Sequence, residues 1–253
     1  MFTKVRVYDS SMANNRQLQD ATNRLRLAVA KVYKANSNHI NALKERHNDL
    51  KRDDFIWYYL LQSFGTMGRA AGAVGIRKRY QDLEYQRLLG LNEEARSACV
   101  SKVCHEARVR FPVRKTNLIL GCFNQIKECG GPKAAKVKLL EQAGKNGKIT
   151  FLRHFPGIGP KYARNLMMDV YHPEFRECIA IDTRIQSIST CIGLAFTNAQ
   201  YEDHERFYLA LAKQAKLEGW ELDRLLFNFT NDIIENLDCP DNQQRQRRST
   251  ACR

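Results

Sequence analysis

The chain has 253 residues, 43% of them hydrophobic, enough for one large domain or two ordinary ones and too many for wholesale disorder. Lysine and arginine total 41 against 27 aspartates and glutamates, and the resulting net charge of +14 favours an anionic partner such as nucleic acid. No stretch approaches the ~18–20 continuous apolar residues of a membrane helix, and the opening MFTKVRVYDS lacks an apolar signal-peptide centre, so an intracellular protein with no membrane partner is expected.

Helical periodicity runs along the whole chain. In 18–34, Leu18, Ala21, Leu25, Ala28, Val29 and Val32 fall on one stripe. Asp53 or Asp54 can cap a helix through FIWYYLLQSF, which is apolar nearly all round and therefore buried. Gly65, Gly68, Gly72 and Gly75 then favour helix–turn–helix over one rod. Further helices are predicted over 84–89, 92–109, 115–127 and 133–143, with breaks at Gly130-Gly131-Pro132 and over 144–148. Strand signals are nearly missing, which makes the fold class all-α. Residues 241–253, with four arginines against one aspartate, read as a basic flexible tail. Eight cysteines include no Cys-x-x-Cys, and no His-Glu-x-x-His occurs, so reduced, mostly buried thiols and no catalytic metal are expected.

The most informative segment is 151–193. Gly157 and Gly159 bracket Ile158 in a turn whose amides lack Cβ shielding, and Pro160 suits the first position of the following helix. Amides at a helix start form a phosphate site. Residues 131–165 hold eight lysines and arginines, Lys133, Lys136, Lys138, Lys145, Lys148, Arg153, Lys161 and Arg164, against Glu141 alone. Such a segment can be a solvated basic face or a surface that grips a DNA backbone, and the charge density around the turn favours DNA. On the helix after Pro160, Ala163, Leu166, Met167 and Val170 form the core stripe, while Lys161, Asn165, Met168 and His172 fall opposite. Lysine in the first turn sits against the positive end of the helix dipole, which favours the neutral amine that a nucleophile must be. Twenty-one residues after Lys161, Asp182 opens a helix with Ile185, Ile188 and Ile192 inward, and can serve as cap, as chemical group or as both.

FPGIGPKYARNLMMD followed by IAIDTRI resembles the helix-hairpin-helix DNA glycosylase superfamily, the group of endonuclease III and 8-oxoguanine glycosylase. The resemblance covers about 40 residues strongly. It implies two helical domains flanking a cleft, with 51–168 as one, ending in the hairpin (149–171), and 1–50 with 169–240 as the other. It implies a bifunctional glycosylase and abasic-site lyase of base excision repair, in which Lys161 is the Schiff-base nucleophile and Asp182 the electrostatic partner that helps manage its proton. Gly157, Ile158, Gly159, Lys133, Lys136 and Arg153 would bind DNA. Phe64 would wedge into the duplex or pack in the core, and Arg69 would contact the orphaned base. Asn165, Trp220, Asp223 and Phe227 would line the base pocket. The implied partner is double-stranded DNA with a damaged base, leaning to 8-oxoguanine, met by a monomer in the nucleoid or nucleus. No diffusible cofactor is implied, although a structural monovalent cation at hairpin carbonyls is compatible with the family. Cys191, Cys239 and Cys252 alone follow Asp182, fewer than the four that such a cluster needs, so no iron–sulfur cluster is expected. An endonuclease III-like enzyme for oxidised pyrimidines and a non-catalytic DNA-binding module are the alternatives.

Overall fold

A computed structural model describes residues 12–67, 71–194 and 200–237, with the backbone alone for 12–18. The described residues form helices and 3-10 turns joined by short loops, with no strand among them. The helices are α1 (Met12–Lys44), α2 (Phe55–Thr66), α3 (Ala71–Lys78), α4 (Tyr85–Leu89), α5 (Glu93–Glu106), α6 (Pro112–Glu128) and α7 (Pro132–Leu140), then α8 (Gly144–Arg153), α9 (Pro160–Met168), α10 (Thr183–Cys191), α11 (Tyr201–Gln214), α12 (Gly219–Asn228) and α13 (Thr230–Glu235). No described helix is long and apolar enough to cross a membrane. The chain divides into two compact units, Arg46–Glu174 and Met1–Glu45 with Phe175–Arg253.

The unit Arg46–Glu174 is built around α2. Phe55, Ile56, Trp57, Leu60, Leu61 and Phe64 on it are fully buried, as an all-round apolar helix requires. Its close neighbour is α3, and the approach depends on small residues. A Cβ on Gly65 would lie 2.7 Å from the Ala73 Cα, and one on Gly72 would lie 2.5 Å from the Gly65 carbonyl oxygen. Asp54 occupies the cap position of α2 without capping it. Its carboxylate instead holds the Arg52 guanidinium at 2.8 and 3.0 Å and accepts from the Tyr80 hydroxyl, and this long-range competition overrides the local preference. The expected break over 144–148 is the start of α8. Gly144 takes φ +61 and the helix then buries Lys148, Ile149 and Leu152. Lys148 is tolerated there because its amine donates to Glu174 and to the Gln142 carbonyl at 2.8 Å.

In the other unit α1 packs along α12, with α11 and α13 alongside. Lys44 pairs with Glu221 at 2.8 Å, and the Tyr33 hydroxyl donates to the same carboxylate. Ser189 on α10 shares buried hydrogen bonds with His204 Nε2 (2.7 Å) and the Tyr208 hydroxyl (2.9 Å) on α11, which ties these helices together. Burial lowers His204 to a pKa of about 4. Cys99, Cys104, Cys122, Cys129 and Cys178 are free thiols, whereas Cys191 is disulfide-bonded, a departure from the all-reduced expectation that no local spacing signals.

Candidate active site and nucleic-acid interface

Helices α8 and α9 form a hairpin around the turn 154–159. Gly157 takes φ +80, a left-handed conformation that costs ordinary residues about 1–2 kcal/mol. A Cβ there would also lie 2.9 Å from Leu118 Cδ1 and 3.2 Å from Phe64 Cε1, so glycine is required twice over. Pro160 is the first residue of α9, and the cap position, Gly159, supplies no side-chain acceptor. The Gly157 and Gly159 amides donate no hydrogen bond among the described residues. A Cβ on Gly159 would meet nothing within 4 Å. The turn therefore presents bare amides and an uncapped helix start on an open side, the arrangement that receives a phosphate.

Ala163, Leu166, Met167 and Val170 are all fully buried, as the stripe predicts. Met168, placed on the outer side by the same rotation, is also fully buried, because α9 packs over more than a single stripe. Lys161 and Asn165 are half-buried, and the Lys161 amine lies 4.9 Å from the centre of the Tyr162 ring.

The basic segment is smaller at the surface than in sequence. Lys133, Lys138 and Arg153 are exposed, but Lys148 and Arg164 are buried. Lys136 donates to the Arg52 carbonyl at 2.9 Å, and Lys133 pairs with Asp53 at 3.3 Å across an exposed contact. Ile158, offered as a DNA contact, turns its side chain into the core, so any contact it makes is through backbone. Phe64 is fully buried against the hairpin, so the core alternative holds and the wedge does not. Arg69 lies outside the described residues.

An exposed aromatic does occur nearby, one that sequence reasoning passed over. Phe111 is 58% exposed and takes φ +57 and ψ +61 at the start of α6, a left-handed conformation that is an outlier for a bulky side chain. Arg108, Arg110, Val113 and Arg114 around it are exposed too. A run of arginines around Phe-Pro was the available signal. Strained backbone clusters at functional surfaces, which makes this turn a candidate contact surface.

Asp182 belongs to the other unit, where an extended segment leads into α10. Three side chains hold that segment by its amides. Glu205 accepts from Ile179 (3.1 Å), Asp223 accepts from Ala180 (2.7 Å), and the Tyr201 hydroxyl accepts from Ile181 (3.1 Å). Asp182 Oδ1 then caps α10, accepting from the amides of Arg184 at 2.9 Å and Ile185 at 3.1 Å. A carboxylate held this way is rigid and only half-buried, fit for chemistry as well as capping.

Two of the expected pocket residues serve that scaffold instead. Asp223 is buried on the Ala180 amide, and Trp220 is 1% exposed, its amide donating to the Arg176 carbonyl at 2.7 Å. Gly219 permits that approach, since a Cβ would stand 3.2 Å from the Arg176 carbonyl oxygen. Phe227 is half-buried with the Arg184 guanidinium 4.1 Å above its ring. No group of three His, Cys, Asp or Glu residues that could hold a metal occurs among the described residues.

No protein-family model and no curated protein matches the sequence. Solved structures do match. An 8-oxoguanine glycosylase/lyase of Methanocaldococcus jannaschii, crystallised with a 15mer DNA containing 8-oxoguanine, superposes with a TM-score of 0.65 at 16% identity, over 80% of this chain and 95% of that one. A structure of the M. jannaschii 8-oxoguanine DNA glycosylase gives 0.63 at 17% identity, over 80% and 92%. The 8-oxoguanine DNA glycosylase of Thermotoga maritima gives 0.60 at 13% identity, over 80% and 95%. At these identities the likeness is one of fold, and the chain has the all-α fold of these glycosylases.

Proposed function

We propose that the protein is a DNA glycosylase with abasic-site lyase activity, which removes an oxidised base, 8-oxoguanine foremost, from double-stranded DNA. The observation that carries this reading is Lys161 in the first turn of a helix that opens behind a bare-amide glycine turn, on the fold of 8-oxoguanine glycosylases. The hairpin amides grip a backbone phosphate, and exposed Arg153, Lys138 and Lys133 add sequence-independent attraction. Phe111, with its arginines, supplies the aromatic that enters the stack as the damaged nucleotide is extruded, a step that costs about a few kcal/mol.

The Lys161 amine attacks the sugar anomeric carbon, the bond to the base breaks, and the base leaves with the bonding electrons and takes up a proton. Loss of the amine proton and ring opening give a Schiff base. Removal of a proton from the neighbouring sugar carbon then expels the 3′ phosphate and nicks the strand. Asp182 supplies the negative charge that stabilises the cationic sugar. Asn165, with both a donor and an acceptor on the helix that carries Lys161, reads the base edge, and Phe227 offers a stacking face. The Gly157 and Ile158 carbonyls accept no hydrogen bond among the described residues, and these oxygens would hold a monovalent cation that fixes the turn.

A panel of duplexes, each with one lesion, tests the reading through base release and nicking. The expected result is release of 8-oxoguanine with a nick, with Asn165→Ala slowing release but not cleavage at a preformed abasic site. Release of thymine glycol with 8-oxoguanine untouched would establish the endonuclease III-like alternative. Binding without release of any base would leave a non-catalytic module.

A further inference from the structure

Lys115, in the first turns of α6, is 7% exposed, and its amine donates to the thioether of Met67, a weak acceptor. The Phe64 ring lies 5.5 Å from its Nζ, and that ring packs on the hairpin at Gly157. The groups of charge or titration that face it are Arg114 on its own helix, of like sign, and the Cys104 thiol on α5. Phe64 on α2 and Met67 just after that helix are uncharged. No carboxylate approaches it among the described residues, although a buried ammonium is costly without an anion. One turn earlier stands Phe111, whose carbonyl accepts from the Lys115 amide at 3.0 Å. A buried cation with no anion beside it among the described residues thus lies behind the exposed, strained, arginine-flanked turn 108–114, with the Phe64 ring between it and the hairpin.

We propose that Lys115 is a backbone contact for DNA, its ammonium exchanging the Met67 sulfur for a phosphodiester oxygen when the turn 108–114 engages a duplex. This rests on the reading of the protein as a DNA-binding enzyme. Burial first, and Arg114 second, lower the Lys115 amine to a pKa of about 8 in the free protein. A phosphate oxygen would raise it again, so binding takes up a proton. Affinity conferred by the contact is complete well below pH 8 and is lost as the pH rises through 8 and beyond, with the same sign as any group whose pKa the bound state raises.

The test measures duplex affinity by fluorescence anisotropy at fixed ionic strength, at pH 7 and pH 9, for the wild type and Lys115→Met. With a free-protein value of about 8, protonation falls from roughly nine-tenths to one-tenth, so wild-type affinity should drop about tenfold more than that of the variant. Lys115→Met keeps an unbranched apolar side chain, and its melting curve verifies the fold. Calorimetric titration at pH 8 in two buffers of different ionisation enthalpy gives a second readout, with uptake of about half a proton by the wild type and near none by the variant. Sulfate titrated in place of the duplex should take up no proton. Equal pH dependence in the two proteins, or equal proton uptake, overturns the contact while leaving DNA binding intact. Uptake with sulfate alone would also overturn it and reassign Lys115 to a free oxyanion. Absence of any salt-sensitive duplex binding would instead sink the underlying functional reading.

Discussion

In the proposed enzyme Asp182 has both a structural and a chemical role, and two substitutions separate them. Its Oδ1 accepts the Arg184 and Ile185 amides, so Asp182→Asn keeps an acceptor oxygen in the same place, whereas Asp182→Ala removes both bonds. Loss of a cap costs about 0.5–2 kcal/mol, and loss of the negative charge at a helix start about 0.3–1 kcal/mol. Asp182→Asn should therefore stay within about 1 kcal/mol of the wild type, and Asp182→Ala should lose about 1–2 kcal/mol. For a protein of this size that is a difference in melting temperature of a few degrees, about 2–4 °C per kcal/mol. Excision should behave in the opposite sense. On the proposed mechanism Asp182→Asn removes the charge that stabilises a cationic sugar, and single-turnover base release should fall about 10²–10³-fold, the scale of a lost electrostatic catalytic group. Calorimetry and quenched-flow release assays on the same preparations give both numbers. An Asn variant that excises at the wild-type rate would reduce Asp182 to a cap and refute the mechanism.

Gly157→Ala meets both left-handed strain and the fixed Phe64 ring, and urea melts should show a loss of about 2–4 kcal/mol with duplex binding weakened in the same variant. Changing Lys133 and Arg153 to glutamine should flatten the log–log salt dependence of duplex binding by up to about 1.8, whereas an unchanged slope would leave that face merely solvated. His204 binds its proton less readily in the folded state, so the unfolded chain takes up more protons between about pH 6.5 and 4 and stability falls as the pH drops through that window. The loss attributable to it is about 3 kcal/mol, measured as the difference in acid sensitivity between the wild type and His204→Phe.

The local parts of the site were legible in the sequence because they obey short-range rules. Gly-x-Gly-Pro fixes the turn and the start of α9, and an aspartate before an isoleucine stripe fixes the cap of α10. What stayed hidden depends on distant partners. Phe64 and a surface wedge look alike in sequence, and only the contact with Gly157 places it inside. Lys148 reads as a surface cation until Glu174 arrives, which is also why 144–148 reads as a break rather than as the first turns of α8. Asp223 and Trp220 carry the right residue types for a pocket, yet the Asp223 carboxylate holds the Ala180 amide and the Trp220 side chain is buried. Phe111 escaped because helical periodicity ends just where its left-handed backbone begins.

Lyase action through Lys161 requires that its amine form a covalent imine with the sugar. Incubation with a duplex holding an abasic site, reduction with borohydride and denaturing electrophoresis test it directly. A stable protein–DNA adduct is expected with wild-type protein and none with Lys161→Ala, whose duplex binding remains. No adduct from the wild type, or an equal yield from Lys161→Ala, would contradict it.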